Sequence, residues 1–270
     1  MRNAVFTALF QCFFFYKKKR KKVFLINKFS FMQAVQTAAN SGYSYYINGS
    51  VSIKKLPALT KKFHEKYATN QPRYQASRDR AKGLATFKFF AAISADPNRI
   101  EWILMFTHGK NHPVNEKIKL IGERKSRYLY IPFTLIKSPP KSNGRSSFTW
   151  KIEESYFRGY EIQIKDTVRS LNKGKIEHLA ENLSKYLPGF SGIRKQKTQL
   201  NKLLKKEIGR HGKALESLQN LKIDNWTLRR ISWEQVININ AFAKNCEQYD
   251  RTPAEQMAIY KKNKRKRKSA

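Results

Sequence analysis

The sequence predicts an α+β fold: a small mixed sheet of ferredoxin-like (split βαβ) character, followed by an all-α, basic C-terminal region. Three observations predict it. Short apolar and β-branched runs, bounded by turn residues, recur between residues 43 and 152. Beyond about residue 153 the apolar positions shift to helical spacing. Hydrophobic residues make up 40% of the 270, enough for a packed core despite a formal charge of +36.

Each element follows from local pattern. "MQAVQTAAN", from Met32, reads as a short helix closed by the Ser41-Gly42 turn. "YSYYINGSVS" is aromatic and β-branched, a strand or hairpin around Asn48-Gly49. "IKKLPALTKKFHEKY" sets Ile53, Leu56, Leu59, Phe63 and Tyr67 at helical intervals, with Pro57 in the first turn. "NQPRYQASRDRAKG" reads as a polar, basic loop. "LATFKFFAAISA" (84–95) is a strand, Asp96-Pro97-Asn98 a turn, and "RIEWILMF" the returning strand of a hairpin. "HPVNEKIKLIGERK" reads as a short helix bearing Val114, Ile118 and Ile121. "YLYIPFTLIK" (128–137) is a strand that Pro132 assigns to an edge. "SPPKSNGRS" is a loop, and "SFTWKIEE" adds a strand. Strand-helix-strand-strand-helix-strand over 43–137 is the order of a split βαβ unit with two helices on one face.

Helices are expected at 154–171, 175–186, 192–210, 213–221 and 232–248, separated by Asn172-Lys173-Gly174, Pro188-Gly189, Gly212 and Asp224-Asn225. The chain thus divides into an extension (1–31), an α+β domain (32–152), a helical region (153–250) and a basic tail (251–270) expected to be disordered. In the extension, apolar residues 4–16 precede "KKKRKK" (17–22). Thirteen residues are too few to span a bilayer, and the charge lies behind the apolar run, opposite to a signal peptide. Two readings remain: a membrane-surface anchor, or a stretch that is not native sequence, its Phe/Lys-rich lead resembling translated AT-rich upstream DNA and the ordinary domain start falling at Met32.

Charge narrows the function classes. Lys and Arg number 55 against 19 Asp and Glu, a surplus that repels itself unless polyanions offset it. Phosphate backbones are the first such partner and acidic lipid the second. Two cysteines, Cys12 and Cys246, exclude a disulfide framework and zinc fingers, and suit a reducing bacterial cytoplasm.

Charge position says more than charge total. In "GIRKQKTQLNKLLKKEIGR" (192–210), Ile193, Gln196, Leu200, Leu203, Glu207 and Ile208 form a narrow seam. Arg194, Lys195, Lys197, Lys202, Lys205, Lys206 and Arg210 spread over the remaining faces, with Glu207 the sole acid. "PRYQASRDRAKG" adds Arg73, Arg78, Arg80 and Lys82, interleaved with Tyr74, which offers phosphate forks beside an aromatic face. "KKNKRKRK" (261–268) adds sequence-independent affinity. A helix-turn-helix is conceivable in "IDNWTLRRISWEQVININAFAKNCEQY", packed through Trp226, Leu228, Ile231, Val236, Ile239 and Phe242, although the spacing matches no known motif.

An enzymatic alternative centres on "THGKNH" (107–112), at the end of an apolar strand. Rolling-circle initiators and relaxases carry a histidine-hydrophobe-histidine motif on a sheet and a tyrosine nucleophile on a helix. This strand offers His108, with Phe106 where a second histidine would stand, and Glu101 as a third ligand; Tyr156 and Tyr160 share a helix face at i,i+4. Two loop histidines and one carboxylate make a poor divalent-metal set. Phosphate-binding loops, nucleophile elbows, dinucleotide fingerprints and carboxylate clusters are absent from the sequence. No cofactor or metal is expected, and a non-enzymatic protein is favoured.

"AVQTAANSGYSYYINGSV", "RYQASRDRAKGLA", "YIPFTLI…SFTWKI" and "YLPGFSGIRKQ" together resemble, in order and flavour, uncharacterised basic proteins encoded on bacterial plasmids and integrative elements. The resemblance runs from Met32 to about Arg210 and has no diagnostic motif. It implies a mobile-element context with DNA as the nearest polyanion. The expectation is a cytoplasmic accessory protein that binds nucleic acid, DNA in preference to RNA, through backbone phosphates. A strand-nicking protein, an RNA-associated protein and a peripheral membrane protein that touches anionic lipid through residues 1–31 are the alternatives.

Overall fold

The computed structural model describes residues 24–25, 28–93, 96, 98–113, 117–123, 126–140, 144, 146–224, 236–237, 239–253, 255–260 and 263; for 24–25, 236–237 and 239–240 it describes the backbone alone. The fold is α+β. Strands β2 (Tyr45–Ser52), β3 (Phe87–Ile93), β4 (Arg99–Phe106) and β5 (Lys119–Leu120) form an antiparallel sheet in the order β3-β4-β2-β5. Tyr45 pairs with Phe106 and Ser52 with Arg99, so β2 and β4 match over their full lengths. A second sheet joins β6 (Leu129–Tyr130), β7 (Phe133–Lys137) and β8 (Phe148–Ile152), and β1 (Phe24–Leu25) pairs with β9 (Val236–Ile237). The helices are α1 (Lys28–Asn40), α2 (Leu56–Tyr67), α3 (Arg73–Ala81), α4 (Glu154–Arg169), α5 (Lys173–Tyr186), α6 (Ser191–Arg210) and α7 (Ile239–Gln248).

Strand alternation gives the larger sheet two buried faces. On one, Phe87, Phe89, Ile100, Leu104 and Phe106 pack against Phe63 and Tyr67 of α2 and Phe242 and Cys246 of α7. On the other, Tyr46, Ala92, Ile103 and Met105 face α1. Helix α1 lies against both β3 and β8, so Phe31, Met32, Val35, Ala38 and Ala39 are all buried. Trp150 Nε1 donates to Met32 O at 2.8 Å, tying the second sheet to this helix. Lys28 Nζ donates to Ile131 O at 2.6 Å and lies over the Tyr130 and Phe133 rings.

Helix α6 closes the far side of the second sheet. The Gln196 side chain pairs with Ile152 as a strand would, accepting from its N–H at 2.7 Å and donating to its carbonyl at 3.0 Å. Ser191 Oγ and Gly192 N both donate to Thr149 Oγ1, at 2.8 and 3.1 Å. A Cβ on Gly192 would stand 2.4 Å from Trp150 O, so helix and strand are in backbone contact there. Helices α4 and α5 pack beside α6 through Ile164, Val168, Ile176 and Leu183.

Several expectations are corrected. Residues 73–81 are a helix and not a loop: the segment buries only Ala76, so it has no apolar stripe to read, while Pro72 is extended at the N-cap and starts the turn. The helix expected across "HPVNEKIKLIGERK" is replaced by β5, where Lys119 and Leu120 pair with Tyr46 and Tyr45 at the sheet edge. Among the described residues no helix joins β4 to β5, so they do not show the second crossover helix of a split βαβ unit. "YLYIPFTLIK" is a hairpin turning at Ile131-Pro132, and β7 is the central strand of the second sheet, not an edge of the first.

The boundary expected at Met32 falls inside α1, whose first turn supplies the fully buried Phe31. Residues 1–23 lie outside the described residues. The segment 213–221 forms a 3-10 helix at Gly212–Leu218, and the helix expected from 232 begins at Ile239, with Val236 and Ile237 in β9. Of the helix-turn-helix candidate, Trp226, Leu228 and Ile231 lie outside the described residues, and Val236 is in a strand. The tail is not wholly disordered: residues 255–260 are helical and bury Met257. Thr252 and Glu255 form a reciprocal capping box, Glu255 N donating to Thr252 Oγ1 at 3.2 Å and Thr252 N to Glu255 Oε2 at 2.9 Å.

Lys197 is also corrected. It is fully buried, whereas the other cations proposed on its helix are exposed. Its ammonium donates to the carbonyls of Ser184 and Leu187, each at 3.3 Å, and to that of Asp224. Three donors meet three acceptors at the C-terminal end of α5, so this lysine joins α5, α6 and the 221–224 segment and does not reach a phosphate. Burial lowers its pKa to about 8, against the opposing pull of Asp224.

Two outcomes are expected. Trp150→Ala removes a fully buried indole together with the bond it donates to Met32 O, at a cost of about 3–5 kcal/mol in denaturant unfolding. Between about pH 8 and 10.5 the unfolded chain keeps a proton on Lys197 that the folded chain releases. The stability attributable to this group therefore rises across that window and is flat below it. Urea unfolding of wild type and Lys197→Met at a series of pH values should show the difference moving in favour of wild type there. A pH-independent difference would mean that the amine is not desolvated.

Candidate nucleic-acid interface

Helix α6 sorts its side chains sharply. Ile193, Gln196, Lys197, Leu200, Leu204, Glu207 and Ile208 are buried, while Arg194, Lys195, Lys202, Lys205, Lys206 and Arg210 are exposed. At 100° per residue the exposed cations share one broad face with Thr198, Gln199 and Gly209. The helix's carboxylate, Glu207, is turned inward and held by Arg210 Nη1, which contacts both of its oxygens at 2.8 Å. Among the described residues, no carboxylate pairs with Arg194, Lys195, Lys202, Lys205 or Lys206.

Neighbouring helices set the contrast. Helix α4 balances Arg158, Lys165 and Arg169 against Glu154, Glu161 and Asp166, with Arg158–Glu154 at 3.4 Å and Arg169–Asp166 at 3.7 Å. Helix α5 offsets Lys173, Lys175 and Lys185 with Glu177 and Glu181. These are the mixed-sign patterns of solvated helices. Of these three helices only α6 carries a large unbalanced surplus, seven cations against one carboxylate.

The second cluster gathers at α3. Arg73, Arg78, Arg80 and Lys82 are all exposed, and Tyr74 is 65% exposed. The Arg78 guanidinium lies 5.9 Å from the Tyr74 ring, one helical turn away. Arg80 and Lys88 both approach the buried ring of Tyr43, at 6.0 and 4.4 Å. Lys88 projects from edge strand β3 and was not among the residues singled out in the sequence, where it sits inside an apolar run. Its pKa is lowered, first by burial and then by the nearby charges of Arg80 and Arg73. Asp79 sits on another flank of α3, bound by the side-chain amides of Gln71 and Gln75.

The strand-end loop packs onto this corner. Thr107 and Thr86 exchange backbone and hydroxyl hydrogen bonds at 3.0–3.1 Å. Ala85 N donates to Lys110 O at 3.0 Å and to Asn111 Oδ1 at 2.9 Å. Gly109 has φ +155°, and a Cβ there would stand 2.3 Å from Ala85 N, so the loop is pressed against the 83–85 backbone. Lys110, His108 and His112 are exposed beside it.

Both clusters attach to the C-terminal end of α1. Arg80 Nη1 donates to Ser41 O at 3.5 Å. Asn40 brackets Phe148, accepting from its N–H at 2.7 Å and donating to its carbonyl at 3.4 Å. Thr149, next in β8, accepts the Ser191 and Gly192 bonds that seat the first turn of α6. The last turn of α3 and the first turn of α6 are thus held by consecutive residues at one end of the molecule.

The tyrosine-nucleophile set is not brought together. His108 follows β4 at the Thr86–Thr107 end of the sheet and lies 6.2 Å from the Tyr45 ring. Tyr156 and Tyr160 sit on α4, whose start is fixed near the opposite end, where Tyr130 Oη donates to Ile93 O at 3.2 Å and Glu153 N to Pro132 O at 2.9 Å. The length of β3 between those ends is about 20 Å. Tyr156 is exposed, whereas Tyr160 packs on the core and its pKa is raised, chiefly by burial. Among the described residues no three His, Cys, Asp or Glu side chains converge as a metal site. No helix among them is long and apolar enough to cross a membrane. Comparison with family models, curated proteins and solved structures finds no match to this chain.

Proposed function

We propose that this chain is a nucleic-acid-binding protein without enzymatic activity, acting through backbone phosphates, with DNA as the preferred partner. The observation that carries this reading is the exposed face of α6. Five cations, Arg194, Lys195, Lys202, Lys205 and Lys206, project from a rigid helix whose carboxylate is buried and neutralised. A 20-residue helix is about 30 Å long, commensurate with roughly nine base pairs of duplex. Arg73, Arg78, Arg80 and Lys82 extend the cationic surface at α3. The wide major groove of B-form DNA admits a helix, whereas that of A-form RNA excludes side chains, which favours DNA. The resemblance to plasmid and integrative-element proteins gives the context: an accessory protein of a mobile element, working in the bacterial cytoplasm. Phosphate contacts supply affinity with little choice of sequence.

Titration of duplex binding against salt tests this reading. Each neutralised phosphate adds about 0.9 to the magnitude of the log-log slope on B-form DNA. Replacing Lys195, Lys202 and Lys206 together by glutamine, at exposed positions where folding is spared, should flatten the slope by about 0.9 per lysine that meets a phosphate. A wild-type slope near zero, or a triple variant with unchanged slope and affinity, would overturn it.

A further inference from the structure

The α3 corner differs from the α6 face in one respect: it combines cations with an exposed aromatic ring. On α6 the exposed residues are Arg, Lys, Thr, Gln, Ser and Gly, none with a planar ring. On α3, Tyr74 stands out from the surface, flanked in sequence by Arg73 and capped by the Arg78 guanidinium at 5.9 Å. Around the helix, Arg73 and Arg80 share one stripe and Tyr74 and Arg78 the next, with exposed Ser77 and Ala81 between them.

The first stripe faces Lys88. Arg80 and Lys88 converge on the same Tyr43 ring, and Arg73 is close enough to act on Lys88 electrostatically. Holding three like charges together costs free energy, more so because Lys88 is partly desolvated. The ring relieves part of this through its quadrupole, but Tyr43 is buried and carries no charge. Asp79, the nearest carboxylate in sequence, is bound by Gln71 and Gln75 on another flank. One bridging phosphate, with its single negative charge, would offset part of the repulsion among the three cations, and a base attached to it would reach the neighbouring stripe.

We infer that the α3 corner binds a single-stranded polynucleotide: a phosphate docks among Arg73, Arg80 and Lys88, and an adjacent unpaired base stacks on Tyr74. An internal paired base is stacked on both faces within its own duplex and has none to offer Tyr74, so the corner selects strands whose bases are free. This rests on the nucleic-acid reading above and assigns it a second substrate class: duplex along α6, single strand at α3, both fixed to the end of α1. A polynucleotide with a duplex–single-strand junction would engage both.

The test uses the full chain, a fluorescently labelled oligothymidylate and a blunt duplex of equal phosphate number, with Tyr74→Ala, Tyr74→Trp and Lys88→Gln variants. Tyr74→Ala should weaken oligothymidylate binding by about 5- to 100-fold, the loss of one stacked base, and leave duplex affinity unchanged. Tyr74→Trp should restore it. Lys88→Gln should lower the magnitude of the single-strand salt slope by about 0.7. Inorganic phosphate at matched ionic strength should leave the Tyr74-dependent part of binding intact. Should phosphate alone abolish that part, the corner is a free-phosphate site and the inference falls. It falls too if Tyr74→Ala is silent on the single strand, or if it weakens duplex binding equally. When wild type binds the duplex with a steep slope and Tyr74→Ala is silent, only this inference fails; when wild type binds neither probe, the nucleic-acid reading fails with it.

Discussion

Helix α1 is the constraint on which the rest of the structure depends. It is wedged between two sheets, so its side chains must be apolar toward β3 and toward β8, and small where the backbones approach. Phe31, Met32, Val35, Ala38 and Ala39 are all buried there. The indole of Trp150 then takes the Met32 carbonyl, a bond made where no water competes. Without α1 neither sheet has a partner on its inner face: the larger sheet would expose Tyr46, Ile103 and Met105, and the smaller Leu135 and Trp150. The C-terminal end of the same helix then fixes what lies outside it, since Ser41 receives Arg80 and Asn40 clamps Phe148.

Helix α6 shows how one amphipathic element separates two uses of positive charge. Lys197 projects inward, where three carbonyls replace its hydration, and there its charge is structural. On the outer face Arg194, Lys195, Lys202, Lys205 and Lys206 keep their hydration and find no carboxylate among the described residues, while Arg210 holds Glu207. Had they served solubility alone, acids at i±4 would have cost nothing and removed mutual repulsion, as they do on α4. On the proposed reading, a polymeric anion bound to this face would relieve that repulsion and release its condensed counterions.

The legible parts of the fold were those where burial writes a period into the sequence. The helices at 154–169, 173–186 and 191–210 each bury one clear face, and the strands at 87–93, 99–106 and 148–152 read as short apolar runs bounded by turn residues. Helix α3 was illegible because it buries Ala76 alone, so a polar helix and a polar loop look the same. The 112–125 region failed for the opposite reason: Ile118 and Ile121 suit a helix, but the open edge of β2 recruits this segment as a strand, a tertiary effect no local window contains. The Thr252–Glu255 box was readable from spacing, but the flanking lysines masked it. In the candidate site, the exposed cations of α6 could be read because its seam could; Lys197 has the helical phase of that seam, between Leu204 and Ile208, but a lysine reads as solvated, and only the carbonyls of Ser184, Leu187 and Asp224 explain its burial. Lys88 was hidden by alternation within "FKFFAAI", where a lysine reads as a solvent-facing position on a half-buried strand.

Rigidity decides what these charges are worth. Long cationic side chains on a mobile segment must be ordered on binding, and that entropy is subtracted from the electrostatic gain. Here the helix beneath the outer face is anchored by Gln196 to Ile152, by Gly192 to Thr149 and by Lys197 to three carbonyls. The backbone positions of Arg194, Lys195, Lys202, Lys205 and Lys206 are therefore set before any partner arrives, and only their side chains remain to be ordered. Helix α3 is held less tightly, by Asp79 to Gln71 and by Arg80 to Ser41, and its cations lean on aromatic rings, which restrict them without neutralising them. A preset row of lysines suits a stiff duplex whose phosphates are themselves regularly spaced. A cation-and-ring corner suits a flexible strand that can adapt to it. The division of labour proposed for α6 and α3 rests on this difference in anchoring as much as on composition.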